Sequence, residues 1–110
     1  MDYWPRLRLT VHDDDEAFSA AMSGRRLWYF DSAGQRTLWD ARFGADDVLV
    51  FGSETRGIDP ELLRANPDYS LRIPQIPNER CLNLSTAVGA ALYEALRQLH
   101  DRYSDVARPV

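Results

Sequence analysis

The sequence predicts an α/β fold: a mainly parallel sheet flanked by helices. Two observations carry that prediction. Strand-like and helix-like segments alternate along the chain, as in consecutive β–α units. One short run, Val48-Leu49-Val50-Phe51, is apolar throughout and closed by Gly52, the pattern of a central parallel strand covered on both faces. Length sets the frame: 110 residues, 45% hydrophobic and 27% charged, make one ordinary globular domain spanning 1–110.

The elements follow in order. Arg6-Leu7-Arg8-Leu9-Thr10-Val11 alternates polar and apolar residues and reads as a half-buried strand. Asp13-Asp14-Asp15-Glu16 precedes a helical stretch, Ala17 to Met22. Carboxylates at a helix start suit the positive end of its dipole, so the acidic run reads as a solvated cap. Arg26-Leu27-Trp28-Tyr29-Phe30 is rich in β-formers, its aromatics read as core, and Asp31-Ser32-Ala33-Gly34 ends it as a turn. Thr37 to Phe43 reads as irregular or a short helical turn. After the Val48 to Phe51 strand, Asp59 caps a short helix with Pro60 at its first position. Tyr69 to Ile73 is a further strand, stopped by Pro74 and Pro77. A last helix starts near Leu84 or Ser85 and runs to about Tyr103. Val88, Ala91, Leu92, Ala95, Leu96 and Leu99 share one apolar face, with Glu94, Arg97, Gln98, Asp101 and Arg102 on the wetter side. Its small residues Ala87, Gly89, Ala90 and Ala91 permit close approach to a sheet or a second subunit.

Composition narrows the functional classes. The formal net charge is -4, so the chain as a whole does not attract nucleic acid. All 13 basic residues are arginine. Guanidinium forks match phosphate oxygens, which is one reading; because these arginines are scattered rather than clustered, the codon bias of a G+C-rich genome is the favoured one. The single cysteine, Cys81, allows no intrachain disulfide, and the chain shows neither a membrane-length apolar run nor a signal peptide at its start. A cytoplasmic protein with no membrane association is expected. Spacings of His, Cys, Asp and Glu offer no metal site, and nothing fixes Cys81 near His12 or His100 as a nucleophile.

In open parallel sheets ligands bind outside the carboxyl ends of the strands. Here those ends are Asp31-Ser32, Gly52-Ser53-Glu54 and Pro74-Gln75. Gly52-Ser53-Glu54-Thr55-Arg56-Gly57 follows the most apolar strand, and its glycines allow close ligand approach. It holds no lysine and is not a phosphate-cradling loop of the usual kind. By itself it also reads as a turn closed by a Glu54–Arg56 pair. The long stretch from Pro74 to Asn83 ends in Asn83 and Ser85, both helix-capping residues.

Taken together, these residues resemble the SPOUT superfamily of knotted methyltransferases, and within it the family that 2′-O-methylates the wobble nucleotide of transfer RNA. Val48-Leu49-Val50-Phe51-Gly52-Ser53-Glu54-Thr55-Arg56-Gly57 is similar to the family's second motif. Leu71-Arg72-Ile73-Pro74 with Cys81-Leu82-Asn83-Leu84-Ser85-Thr86-Ala87-Val88 is similar to its third, and Tyr93 to Leu99 to its last helix. The resemblance begins at Asp2-Tyr3-Trp4 and covers nearly the whole chain. It implies a C-terminal trefoil knot, S-adenosyl-L-methionine as cofactor, transfer RNA as substrate and a homodimer. Carried over by motif position, cofactor contacts fall at Phe30, Gly52, Ile73, Cys81, Leu82 and Leu84. Asn83, Glu54 and Arg56 match polar positions of the family's motifs and are the candidate catalytic residues. Many relatives carry serine where this chain has Cys81. The resemblance also implies a strand–helix–strand unit before Asp2, roughly 30 residues, holding the family's first motif with its Asn and Arg. Those positions have no counterpart in this sequence, which implies weak or absent turnover by the 110 residues alone. The alternative reading is a non-catalytic module that binds S-adenosylmethionine or RNA.

Overall fold

The computed structural model of the chain describes residues 8–75 and 83–101. Its elements are α1 (Asp15–Ala21), β1 (Leu27–Phe30), β2 (Arg36–Thr37), β3 (Val48–Phe51), α2 (Pro60–Ala65), β4 (Ser70–Arg72) and α3 (Leu84–Leu99). Single 3-10 turns, Leu38–Asp40 and Pro67–Tyr69, follow β2 and precede β4. The sheet order is β2-β4-β1-β3. Every pairing is parallel, with Phe30 opposite both Phe51 and Leu71. All four carboxyl ends therefore lie along one edge. The last strand, β4, inserts between two strands laid down earlier.

The local signals for the helices act as read. Asp14 caps α1, its Oδ1 accepting from the Ala17 N–H at 2.7 Å. Asp59 caps α2 by accepting from Glu61 N–H, with Pro60 at the first helical position. Asn83 caps α3 by accepting from Thr86 N–H at 2.9 Å. Each cap satisfies a donor that helix geometry leaves without a partner.

The core forms where aromatic strand residues meet. Trp28, Phe30, Leu38, Ala41, Phe43, Leu71 and Ala91 are all buried in one cluster. Trp28 packs edge-on against Phe43 and Tyr69, at 5.1 and 4.9 Å between ring centres, while Phe30 stacks on Phe51 at 4.8 Å. Tyr29, between the two buried rings of β1, is half-buried.

At the amino end of the sheet, Asp47 gathers four donors on one oxygen. Oδ2 accepts from Arg26 Nε at 2.9 Å, Trp28 Nε1 at 2.8 Å and Gly44 N–H at 2.7 Å, and Arg26 Nη2 lies 2.7 Å away. Burial by itself would raise this carboxyl. The hydrogen bonds from Arg26, Trp28 and Gly44, with the Arg26 charge, outweigh it and hold the group below its usual range. The same pairing, opposed by a smaller desolvation, raises the Arg26 guanidinium.

Four expectations change. Residues 8–11 form no strand; Leu9 and Val11 are 68% and 82% exposed, because no described element offers them a ladder or an apolar surface. Val48–Phe51 is not central. It pairs with β1 alone and is one of the two edge strands of the described sheet, half-buried along its length. In the stretch from Thr37 to Phe43 the short helical turn is present at Leu38–Asp40, but the two-residue strand β2 just before it is not expected from the sequence, since its pairing with β4 is a tertiary contact.

The fourth change concerns α3: Ala91, Ala95 and Leu99 of the apolar stripe pack on the core, but the rest of the stripe does not follow them. Ala91 is fully buried, but Val88 and Leu92 are exposed, with Tyr93 beside them. Gln98 sits half-buried instead, accepting from Phe43 N–H and donating to Ala41 C=O and Glu94, all at 2.9 Å. The irregular 41–43 backbone needs polar partners, and Gln98 supplies them. Arg97 and Gln98 bond to Glu94, which together with the Arg97 charge keeps its carboxyl low against partial burial. The described part of α3 ends at Leu99, short of Tyr103.

Candidate functional site at the carboxyl edge of the sheet

A cleft of about 1000 Å³ opens where β1, β3 and β4 end. It falls where an open parallel sheet places its ligands and has the size of a small-molecule site. Three loops and the start of α3 build it.

The first loop is the turn after β1. Asp31 receives a hydrogen bond on its C=O from Gly34 N–H at 3.0 Å, and its own N–H donates to Leu71 C=O at 3.0 Å. The second loop, residues 52–57, folds back on itself through a bridge in which Gly57 N–H donates to Ser53 C=O at 2.8 Å. Gly57 has φ of +67°, a conformation glycine adopts without strain. A side chain at Gly52 would run into the Gly57 backbone, so the loop closes this tightly only with glycine there. The third loop leaves β4 through Ile73, Pro74 and Gln75, and the cleft is bounded beyond them by Asn83, Leu84 and Ala87.

The candidate residues converge. Phe30, Gly52, Ile73 and Leu84 line the cleft, and so do Glu54, Arg56 and Asn83. Cys81 and Leu82 lie outside the described residues. Glu54 and Arg56 are exposed on the rim, and among the described residues no ion pair joins them, so the loop is not closed by that pair. The Asn83 carboxamide oxygen is engaged as the α3 cap, while the residue also borders the cleft. Thr37 and Arg72 line the site without having been singled out. Arg72 Nη1 donates to Gly34 C=O at 3.0 Å, tying the first loop to the third. Its signal was the alternation of β4, where buried Leu71 precedes an exposed arginine.

The lining sorts into chemistry. Phe30, Phe51, Ile73, Leu84 and Ala87 give an apolar slot for a flat ring. Glu54 presents a carboxylate suited to a cationic ligand, and Arg56 and Arg72 present guanidinium groups suited to an anionic one. Among the described residues no three His, Cys, Asp or Glu side chains group as a metal site, and no helix is long and apolar enough to cross a membrane.

Fold and cleft define an α/β domain with a cleft of small-molecule size at the carboxyl edge of a parallel sheet. The chain belongs to the SpoU rRNA methylase family, whose model matches residues 1–93. It is similar to the tRNA (cytidine(34)-2′-O)-methyltransferase of Methylovorus glucosotrophus (strain SIP3-4), with 40% identity over 102 residues, 92% of this chain and 66% of that protein. The Escherichia coli (strain K12) protein of the same name is 38% identical over 100 residues, 90% of this chain and 64% of that protein. A solved structure described as giving structural insights into 2-OH methylation of C/U34 on tRNA superposes with a TM-score of 0.84 at 44% identity, covering 92% of this chain and 66% of that one. The chain thus spans just under two thirds of the length of these relatives.

Proposed function

We propose that the chain provides the S-adenosyl-L-methionine site of a methyltransferase acting on the wobble-ribose 2′-hydroxyl of transfer RNA. The observation that carries this reading is the convergence of two motif segments, 48–57 and 71–74 with 83–88, on one cleft at the strand ends. The names of the similar proteins and the SpoU family match support it.

The lining fits the cofactor. Phe30, Ile73 and Leu84 offer apolar surface for the adenine, the strand ends offer backbone donors and acceptors, and Glu54 offers a carboxylate toward a cation. When bound, S-adenosylmethionine supplies the methyl group on a sulfonium sulfur. The chain's own work is then positional. Gly52 lets the 52–57 loop close over the site, and Asn83 fixes the start of α3 against it. Glu54 and Arg56 on the rim orient the ribose and the adjoining phosphate, converting a bimolecular encounter into a placed one. The motif resemblance also assigns cofactor contacts to Cys81 and Leu82, which lie outside the described residues.

The same reading includes a C-terminal trefoil knot, a cytoplasmic location and a homodimer. The exposed apolar residues Val88, Leu92 and Tyr93 of α3, with Gly89 open beside them, form the face that a second copy would cover. Titration calorimetry with S-adenosylmethionine, then methyl transfer to transfer RNA with mapping of the modified nucleotide, tests the reading. Binding is the expected result, with any methyl transfer, however slow, falling on the wobble ribose. Binding without transfer favours a non-catalytic cofactor-binding module, and no binding refutes the cofactor site.

A further inference from the structure

Asp31 stands at the meeting point of all three cleft loops, and its side chain is committed to two of them. Oδ1 accepts from Ile58 N–H at 3.0 Å, and Oδ2 accepts from Ala33 N–H at 2.9 Å. The first bond crosses from the end of β1 to the far end of the 52–57 loop, 27 positions along the chain. The Asp31 N–H meanwhile reaches Leu71 C=O on β4. The neighbouring sequence accommodates this carboxylate. A Cβ at Gly57 would lie 2.5 Å from Asp31 Oδ1, so glycine at 57 serves the approach of Asp31 as well as the positive φ.

Among the described residues, the 52–57 loop has few other holds. Its internal bonds are the Ser53–Gly57 bridge and the Arg56 N–H donated to Ser53 Oγ at 3.0 Å. Those bonds give the loop a shape but do not fix it against β1. Ile58 is buried and anchors its far end, and the Asp31 carboxylate is the polar tie that sets where that end meets the sheet. A charged acceptor on a backbone N–H is a strong hydrogen bond. Its direction is fixed here by the rigid β1–β4 pairing behind it.

We infer that Asp31 is a positioning residue for the cleft: its bond to Ile58 N–H holds the 52–57 loop in the shape that receives the ligand. This rests on the cofactor reading above. A loop released from β1 spends less time in the receiving shape, and apparent affinity falls by the fraction lost. The effect works through backbone geometry and not through charge on the ligand. Asp31→Asn retains an oxygen acceptor for Ile58 N–H, whereas Asp31→Ala retains none.

The test combines S-adenosylmethionine calorimetry with residue-resolved amide exchange on the ligand-free 110-residue protein. Asp47→Asn, at the opposite end of the sheet, controls for general destabilisation. Expected for Asp31→Ala is an about tenfold weaker Kd and exchange at Ile58 N–H faster by about tenfold or more, with Phe30 and Val50 amides unchanged. Asp31→Asn should recover Kd to within about threefold of the parent. Asp47→Asn should lower Tm while leaving Kd alone. Gly57→Ala, which pushes on the same carboxylate, should reproduce the Asp31→Ala exchange pattern. Unchanged Ile58 exchange in Asp31→Ala overturns the inference. So does an Asp31→Asn variant as weak as alanine, because that makes Asp31 a direct charge contact. If the parent protein itself does not bind S-adenosylmethionine, the cofactor reading fails, and the exchange data still decide whether Asp31 holds the loop.

Discussion

Gly52→Ala is the sharpest single perturbation of the cleft. A Cβ at position 52 would lie 2.1 Å from the carbonyl carbon of Gly57, 2.3 Å from its oxygen and 2.6 Å from Ile58 N. All three are backbone atoms, so no side-chain rotation relieves the overlap. Ordinary contact starts near 3.4 Å, so the two arms of the loop must part by about 1.3 Å, enough to break the Ser53–Gly57 bridge and disturb Ile58 N–H on Asp31. Overpacking of this kind costs about 2 kcal/mol, which for a domain of this size lowers Tm by about 10 °C. Cofactor affinity should weaken at least about tenfold as the receiving shape is depopulated. Thermal melting and titration calorimetry read the two effects. Ser53→Ala is the control: it removes one exposed acceptor and should cost no more than about 0.5 kcal/mol. A Gly52→Ala protein with the parent's Tm and affinity would refute the reasoning.

Three further outcomes follow from the geometry. Asp47→Ala leaves the buried Trp28 Nε1 and Gly44 N–H without their acceptor, costing about 2 kcal/mol by thermal or denaturant unfolding. Because the folded state holds the Asp47 carboxyl below its unfolded value, its contribution is complete above the ordinary carboxyl range and disappears as pH falls through the lowered value; the parent should lose more stability on acidification below about pH 4 than Asp47→Asn does. Gln98→Ala strips partners from Phe43 N–H and Ala41 C=O and should cost about 2 kcal/mol, undocking α3 from the 41–43 loop; a melting point equal to the parent's contradicts that. Leu92→Arg on the exposed face of α3 should convert a dimer to a monomer by sedimentation while leaving the monomer fold intact by circular dichroism; an unchanged dimer moves the proposed interface elsewhere.

The parts legible in the sequence are those with local physical causes. Asp14, Asp59 and Asn83 are read as caps or start signals because a short oxygen-bearing side chain before a helical run satisfies donors only a few residues away. The 48–57 and 71–74 segments announce a strand followed by a tight loop, so the cleft is foreseeable from strand ends. What was not legible depends on partners distant in the chain. The apolar run Val48 to Phe51 does not say whether one neighbour or two will flank it, and it became an edge strand of the described sheet. The alternation from Arg8 to Val11 has the period of a strand but finds no ladder. The α3 stripe misleads because the 41–43 backbone requires hydrogen-bonding partners, which draws Gln98 and Glu94 inward and leaves Val88 and Leu92 outside. Asp31 reads as a turn residue from its neighbours; only the fold brings it to Ile58.

The central claim is that the cleft at the carboxyl ends of β1, β3 and β4 receives S-adenosylmethionine. An amide-resolved NMR titration with that ligand tests it most directly. The account predicts saturable shifts concentrated at Phe30, Gly52, Ile73 and Leu84, with Gly24, Arg26 and Asp47 at the other end of the sheet unmoved. Shifts confined to that other end, or none at saturating ligand, would contradict it.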